Sequence, residues 1–437
     1  MHFTCTLIFT LDLTIALQFM LKAERLVLEM INRNFKLVWT GKLISQFGDE
    51  LYAIALAWWV LQKTGSTVSM GLFMFASAVP GIIMGLFTGA VSDRWNRKHI
   101  MVLSDAVRGI LVLTISILAY SDLLVIWQVY ASGICLSIAG AFFNPSSQAI
   151  LPDIVGKENL TKANSLSQLV GGVCSTLGPM LGALIVSFLG TNLVFTVNSI
   201  SFFVAMVLAA LMKYQVPYLK NEAAEGNIIR DIGEGLRYIG KRKNLLKIMT
   251  IIGAAHFFVG SLSVSLPFLA SGLSGTGVNN LGLLQMMLGI GLIGGSIYRR
   301  WRKADSPEKM SEKGLMKLML CYGICFIAIS CASYFGISII LCYLPIFFLI
   351  GAVIANASVF WQLLLQTNTP SDMRGRVFGT STLIGEASMP IAYGVIGIVL
   401  KYSGIAPVMF FSGIALMLIS VVFMKEAKLP IINEISD

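Results

Sequence analysis

The chain has 437 residues, 56% of them hydrophobic and only 12% charged, with 41 glycines and a mean hydropathy of +0.80. A soluble domain carries about 25% charged residues, so this composition excludes a water-soluble protein and points to a polytopic membrane protein. The net charge of +10 is scattered in short turns between apolar runs instead of forming one patch, which excludes a nucleic-acid partner and leaves the lipid bilayer as the environment.

Residues 1–30 stand apart, because Leu7 to Leu21 is apolar but short, carries Asp12 and has no Lys or Arg ahead of it, as a signal peptide would. Two readings stay open: an extension upstream of a working start near Met30, or a surface-lying or extra spanning helix. Beyond it, taking about 20 apolar residues as one crossing, spans are expected near 43–61, 69–91, 100–120, 124–145, 166–188, 192–212, 246–268, 278–298, 315–334, 336–359, 376–400 and 404–424. These twelve spans are helices, since period-two alternation is absent and backbone groups in lipid need internal partners. Lys and Arg fix the orientation: with the segment before the first span inside, the even-numbered turns hold Arg94, Arg97, Lys98, Arg237, Lys241, Arg242, Arg299, Arg300 and Arg374 among others, while the opposite turns hold Lys63 and Lys401. Both ends of the unit are therefore expected in the cytoplasm of a bacterial inner membrane.

The turn after the second span, Gly89-Ala-Val-Ser-Asp93-Arg94-Trp95-Asn96-Arg97, is echoed after the eighth as Gly295-Ser-Ile-Tyr-Arg299-Arg300-Trp301-Arg302-Lys303. A second echo pairs Gln148-xxx-Pro152 with Gln366-xxx-Pro370. The fold class is thus all-α, twelve transmembrane helices in two pseudo-symmetric six-helix bundles, covering 31–212 and 246–424, joined by a cytoplasmic loop at 213–245 and followed by a tail at 425–437. Ile228 to Leu246 has apolar residues at helical spacing (Ile232, Leu236, Ile239) and is read as a surface helix. Two parallel halves with a site at the midplane between them is the alternating-access arrangement of transporters.

Charges deep in the spans are the candidates for chemistry. Asp49 and Glu50 lie in span 1, where an unpaired charge costs a few kcal/mol, and adjacent helical positions differ by about 100°, so one is expected to face a watery cavity and the other a neighbouring helix. Asp105 and Arg108 in span 3 are spaced i,i+3 and suit an ion pair, with structure or coupling as its role. Glu386 in span 11 is the C-half counterpart by chemistry. These five residues are the proton-coupling candidates. Trp58, Trp59, Phe143, Phe258, Trp361 and Gln362 offer aromatic and polar surface to a bulky apolar substrate, with the lone His256 beside them as a hydrogen-bonded structural partner or a relay. His2, His99 and His256 lie far apart and no CxxC or HxxxH occurs, so no metal site is expected and the cysteines read as small hydrophobes. No Gly-rich loop has Walker spacing, so no cofactor, ATP site or enzymatic activity is expected.

The turn Gly89-xxx-Asp93-Arg94-xx-Arg97-Lys98 resembles the signature loop of the major facilitator superfamily, and the likeness runs along the chain from about Met30. Gln46-Phe-Gly-Asp49 with Thr64-Gly-Ser66, Asn144 to Pro152 with Leu160 to Asn164, and Arg374 to Phe378 with Met389-Pro390 resemble the bacterial drug-efflux group that includes the macrolide exporters. The resemblance implies that Gly89, Asp93, Arg94 and Arg97 latch the halves together against the helix 11 start at Asp372, with Asn96 standing where the family usually has glycine and tightening or distorting the turn. It also implies an antiporter-like motif in helix 5 at Gly178, Pro179 and Gly182, in which Cys174 and Ala183 replace two glycines. The arginine that this efflux pattern often places in helix 4 is absent between Trp127 and Phe143. The expected function is proton-coupled export of a bulky amphipathic small molecule by a monomer. Its alternatives are an exporter of a native metabolite such as a siderophore, and a transport-silent membrane scaffold or sensor.

Overall fold

The computed structural model describes residues 32–214, 228–301, 312–370 and 373–426; the N-terminal extension, Asp372 and most of the tail lie outside them. Among the described residues twelve helices have 20 or more residues: α1 (Arg33–Thr64), α2 (Thr67–Arg94), α3 (Arg97–Tyr120), α4 (Ile126–Ala149), α5 (Leu160–Leu189), α6 (Thr191–Ala210), α7 (Lys243–Ser271), α8 (Gly277–Trp301), α9 (Glu312–Tyr334), α10 (Leu344–Thr367), α11 (Arg374–Ser403) and α12 (Ile405–Glu426). Eleven of them are long and apolar enough to cross a membrane; the exception is α1. Its sequence explains this, because Gln46, Asp49 and Glu50 break the apolar run halfway along. α1 also packs against both α5 and α6, so its polar centre meets protein. Asn32 starts α1 by accepting from the Phe35 amide, and Gly65, at φ 57°, closes it with its N–H on Leu61 O at 2.8 Å.

The six helices of each half pack alike. In the first, α3 lies on α6, α2 on α4, and α1 on α5 and α6; in the second, α9 lies on α12, α8 on α10, and α7 on α11 and α12. The halves meet through two equivalent pairs, α2 with α11 and α5 with α8. Small residues allow the approach: a Cβ on Gly282 of α8 would sit 2.5 Å from Ala183 Cβ and 2.8 Å from Pro179 O of α5, and one on Gly289 would sit 2.8 Å from Thr176 Cα. On the other pair Thr67 Oγ1 donates to Gly397 O at 2.8 Å, and Gly71 packs on Tyr393 and Gly397. These contacts run from the end of the bundle that carries the α1–α2 and α7–α8 turns to the middle of α5 and α8. Toward the other end of the α2–α11 pair, Gly85, Gly375 and Gly379 have open space where a Cβ would stand.

Three sequence expectations need correction. The tenth helix runs Leu344–Thr367, well past the 336–359 expected. Gly336 turns the chain at φ 67°, the apolar stretch after it passes through a 3-10 turn at Ile340–Cys342, and Tyr343 Oη donates to Ile337 O at 3.0 Å, so Ile337, Ile339 and Leu341 stand exposed on a turn. The connecting helix ends at Gly240, with Ile239 buried but Leu236 49% exposed, so Leu236 is not on its packed face. α8 continues to Trp301, and Arg299, counted among the turn charges, is buried; its guanidinium donates to Asn356 O at 2.7 Å and Oδ1 at 2.9 Å in α10.

Candidate functional site

The densest set of buried charge sits inside the first half. Arg108 of α3 donates from Nη2 to Asp105 Oδ1 at 2.5 Å, and its Nη1 stands 3.9 Å from Asp49 Oδ2 of α1. One turn of α3 brings Asp105 and Arg108 to the same face, and both turn inward because the helix leaves Leu103, Val107 and Ile110 exposed on the opposite one. Aromatic rings complete the cage: the guanidinium lies 4.3 Å from the Phe143 centroid of α4 and 4.6 Å from that of Phe202 of α6, cation–π contacts that partly replace lost hydration. Asn198 of α6 lies beside Asp49 and its Oδ1 accepts from Ser201 at 3.1 Å.

The accessibilities differ within this cluster, and the difference matters. The Asp105 and Arg108 side chains are 2% and 9% exposed, whereas Asp49 is 46% exposed although it lies in the middle of α1. Asp49 is thus the least enclosed member of the trio. Glu50, the next residue, points instead to α5, where a Cβ on Gly178 would sit 3.2 Å from its Cγ. Gly182, one turn on, brings the α5 backbone against Leu51 of α1, whose Cα would be 3.0 Å from an added Cβ. Pro179 adjoins both, with its carbonyl against Gly282 of α8. The helix 5 motif therefore joins α1, which carries the carboxylates, to the other half.

The remaining candidates fall elsewhere. Glu386 of α11 is exposed and belongs to the second half, apart from the Arg108 cluster. His256 is anchored by Nδ1 to Ile252 O at 2.9 Å, with its ring against Gly385. Trp59 and Phe258 are buried in the apolar core, Phe258 edge-on to Phe257 and Phe326, while Trp58 packs on Gly277 at the joined end. Trp361 is half-buried and Gln362 exposed in α10.

Gly89 falls within α2, while the side chains of Asp93 and Arg94 and all of Asp372 lie outside the described residues. Arg97 is placed: its Nη1 donates to Asp153 Oδ2 at 2.8 Å and to Ala149 O at 3.1 Å, tying α3 to the short helix Leu151–Val155 that follows α4. Tyr214 Oη donates to the same Asp153 oxygen at 2.8 Å; burial, with the Asp153 carboxylate beside it, pushes the phenol up to about 12. Asn96 does not distort the turn: at φ −65° and ψ 111° it caps α3 by accepting from Lys98 N at 3.0 Å, so no glycine is required there. On the second half Arg376 pairs with Glu234 of the connecting helix at 3.1 Å.

Sequence reasoning missed Asn198, Phe202, Asp153, Tyr214 and Asn356. Asn198 and Asn356 carried a signal, since each is an amide at the middle of a largely apolar helix; Phe202, Asp153 and Tyr214 carried none beyond ordinary core or loop composition.

A family profile described as "Transmembrane secretion effector" matches residues 29–437. The chain is 27% identical to the "Uncharacterized MFS-type transporter YfiS" of Bacillus subtilis over 89% of its length and 92% of that protein. It is 23% identical to "Macrolide efflux protein A" of Streptococcus pyogenes, over 92% of this chain and 96% of the relative. Among solved structures, the nucleoside transporter NupG superposes with a TM-score of 0.70 at 11% identity, covering 90% of this chain and 98% of that one.

Proposed function

Because the chain belongs to the transmembrane secretion effectors of the major facilitator superfamily, small-molecule transporters embedded in the membrane and not enzymes, we propose that it exports a bulky, partly apolar molecule in exchange for protons. The relation to a macrolide efflux protein over nearly the full length of both chains supports this substrate class. The coupling reading is carried by one observation: Asp49, Asp105 and Arg108 put two carboxylates around one buried guanidinium, and of the three Asp49 is the least enclosed.

With both carboxylates ionised the trio is one negative charge in excess, and Glu50 beside it adds another. A bilayer interior penalises such an excess, and a proton on Asp49 removes it. Asp105 holds Arg108 while Asp49 competes for it from 3.9 Å, so protonation of Asp49 releases α1 from α3 and deprotonation draws them together. α1 bears on α5 through Glu50 and Leu51 against Gly178 and Gly182, and α5 bears on α8 through Pro179 and Gly282. Charge on Asp49 is thereby linked to the contact between halves, which is the two-state element that alternating access needs. The open end of the α2–α11 pair carries most Lys and Arg, so this conformation faces the cytoplasm under the positive-inside rule. In the opposite conformation Gly89, Asp93, Arg94 and Arg97 close that end against Asp372. The working unit is a monomer, since the two halves that must move against each other, joined at α2–α11 and α5–α8, belong to one chain.

The test is a panel of macrolides and other amphipathic compounds added to everted membrane vesicles with a pH-sensitive dye. Export in exchange for protons relieves the interior acidity when a substrate is added; vesicles that accumulate a compound without any change of the dye would refute proton exchange, and no accumulation of any amphipathic compound would refute the substrate class.

A further inference from the structure

A second site lies on the outer face of the other half. A groove of about 540 Å³ runs along α7 between α11 and α12, lined by Leu246, Thr250 and Phe257 of α7, Ile384 and Ile391 of α11 and Ile419 of α12. Ile391 belongs to a stripe of exposed apolar side chains on α11 with Val395, Ile398 and Val399, so the groove opens toward lipid, away from α2 and the other half. Its two hydroxyls are already used within their own helices: Thr250 donates to Leu246 O at 3.0 Å and Ser388 to Ile384 O at 2.7 Å. The groove walls therefore offer nothing to a polar ligand.

Its length and its end are informative. From Leu246 to Phe257 the helix rises roughly 16 Å at about 1.5 Å per residue, close to one leaflet of a hydrocarbon core about 30 Å thick. One turn before Leu246 stands Arg242, exposed, stacked 4.3 Å from the Tyr238 ring and, among the described residues, paired with no carboxylate; Lys241 beside it is also exposed. Arg242 is the N-cap of α7 and its side chain makes no capping hydrogen bond, which leaves first-turn amides at the positive end of the helix dipole. An apolar channel one leaflet long, ending in a guanidinium, an ammonium and an uncapped helix N-terminus, has the shape and charge of a phospholipid laid on its side.

We propose that this groove is a binding site for one anionic phospholipid, with an acyl chain along α7 and the phosphate at Arg242, Lys241 and the α7 amides. The connecting helix joins α7 here and is tied to α11 by Arg376 and Glu234, so the bound lipid pins the connection to the second half.

The test uses the full chain in phosphatidylcholine nanodiscs containing a small fraction of chain-labelled phosphatidylglycerol or chain-labelled phosphatidylcholine, with the immobilised lipid per protein read by electron paramagnetic resonance. A basic residue near the surface strengthens binding roughly fivefold, so immobilisation of phosphatidylglycerol should exceed that of phosphatidylcholine by about fivefold or more. Arg242→Gln with Lys241→Gln should abolish the preference, Thr250→Trp should reduce the excess of immobilised phosphatidylglycerol over phosphatidylcholine by at least half, and Lys157→Gln with Lys162→Gln, which removes equal charge from the first half, should leave the preference intact. A smaller preference, its survival in the Arg242 and Lys241 variant, its equal loss in the Lys157 and Lys162 variant, or indifference to Thr250→Trp overturns the proposal.

Discussion

Replacing Arg108 by leucine tests whether the buried trio is held by charge. The substitution keeps an apolar stem between Phe143 and Phe202 but strips Asp105, whose side chain is 2% exposed, of its 2.5 Å partner. Breaking a buried pair from one side costs about 3–5 kcal/mol, whereas replacing both members is often neutral. Against a total stability of about 5–15 kcal/mol, that loss is large. A change of 1 kcal/mol moves Tm by about 2–4 °C in a unit of 150–250 residues, so Arg108→Leu should lower the thermal midpoint by roughly 6–20 °C. Tryptophan fluorescence of purified protein in detergent measures it. The double variant Asp105→Asn with Arg108→Leu should recover most of the loss. A single variant as stable as the parent, or a double variant that melts as early as the single one, would refute the reasoning.

Gly282→Ala forces a methyl against Ala183 and Pro179, an overpacking of about 1–3 kcal/mol that shifts the balance between conformations 5- to 150-fold; a cysteine at Thr176 in a cysteine-free background should then label faster from outside, and an unchanged rate would contradict the assignment of the joined end. In the same background, cysteines at Ser271 and Ser403 should label from outside the cell and one at Lys157 should not; the reverse pattern would invert the topology. Asp153→Ala removes the partner of both Arg97 and Tyr214, with an expected loss of about 1–3 kcal/mol from partners left unpaired, readable as an earlier melt that Tyr214→Phe only partly reproduces.

The two-half architecture was legible because it is written in composition: apolar runs of bilayer length, basic turns and the paired echoes at Gly89 and Gly295. Span 10 was misplaced because hydropathy cannot distinguish an apolar helix from an apolar turn, and the turn at Gly336 depends on a left-handed backbone that composition does not reveal. Asp105 and Arg108 were legible as a pair because helical spacing places i and i+3 together. That Asp49 joins them from α1 while Glu386 stands apart depends on how helices separated by tens of residues pack, and no local spacing encodes it. Arg299 illustrates the same limit, for an arginine at a helix end reads as a topology charge until the Asn356 amide of another helix is found beside it.

The central claim, that Asp49 carries the coupling proton, is tested most directly by Asp49→Asn in proteoliposomes with an imposed pH gradient. Each proton exchanged across one pH unit supplies about 1.4 kcal/mol, a tenfold substrate ratio. The parent should concentrate a transported macrolide about tenfold per pH unit per proton, and Asp49→Asn should exchange it across the membrane while holding the ratio near one at every gradient. A variant that still accumulates substrate in proportion to the gradient would contradict the account.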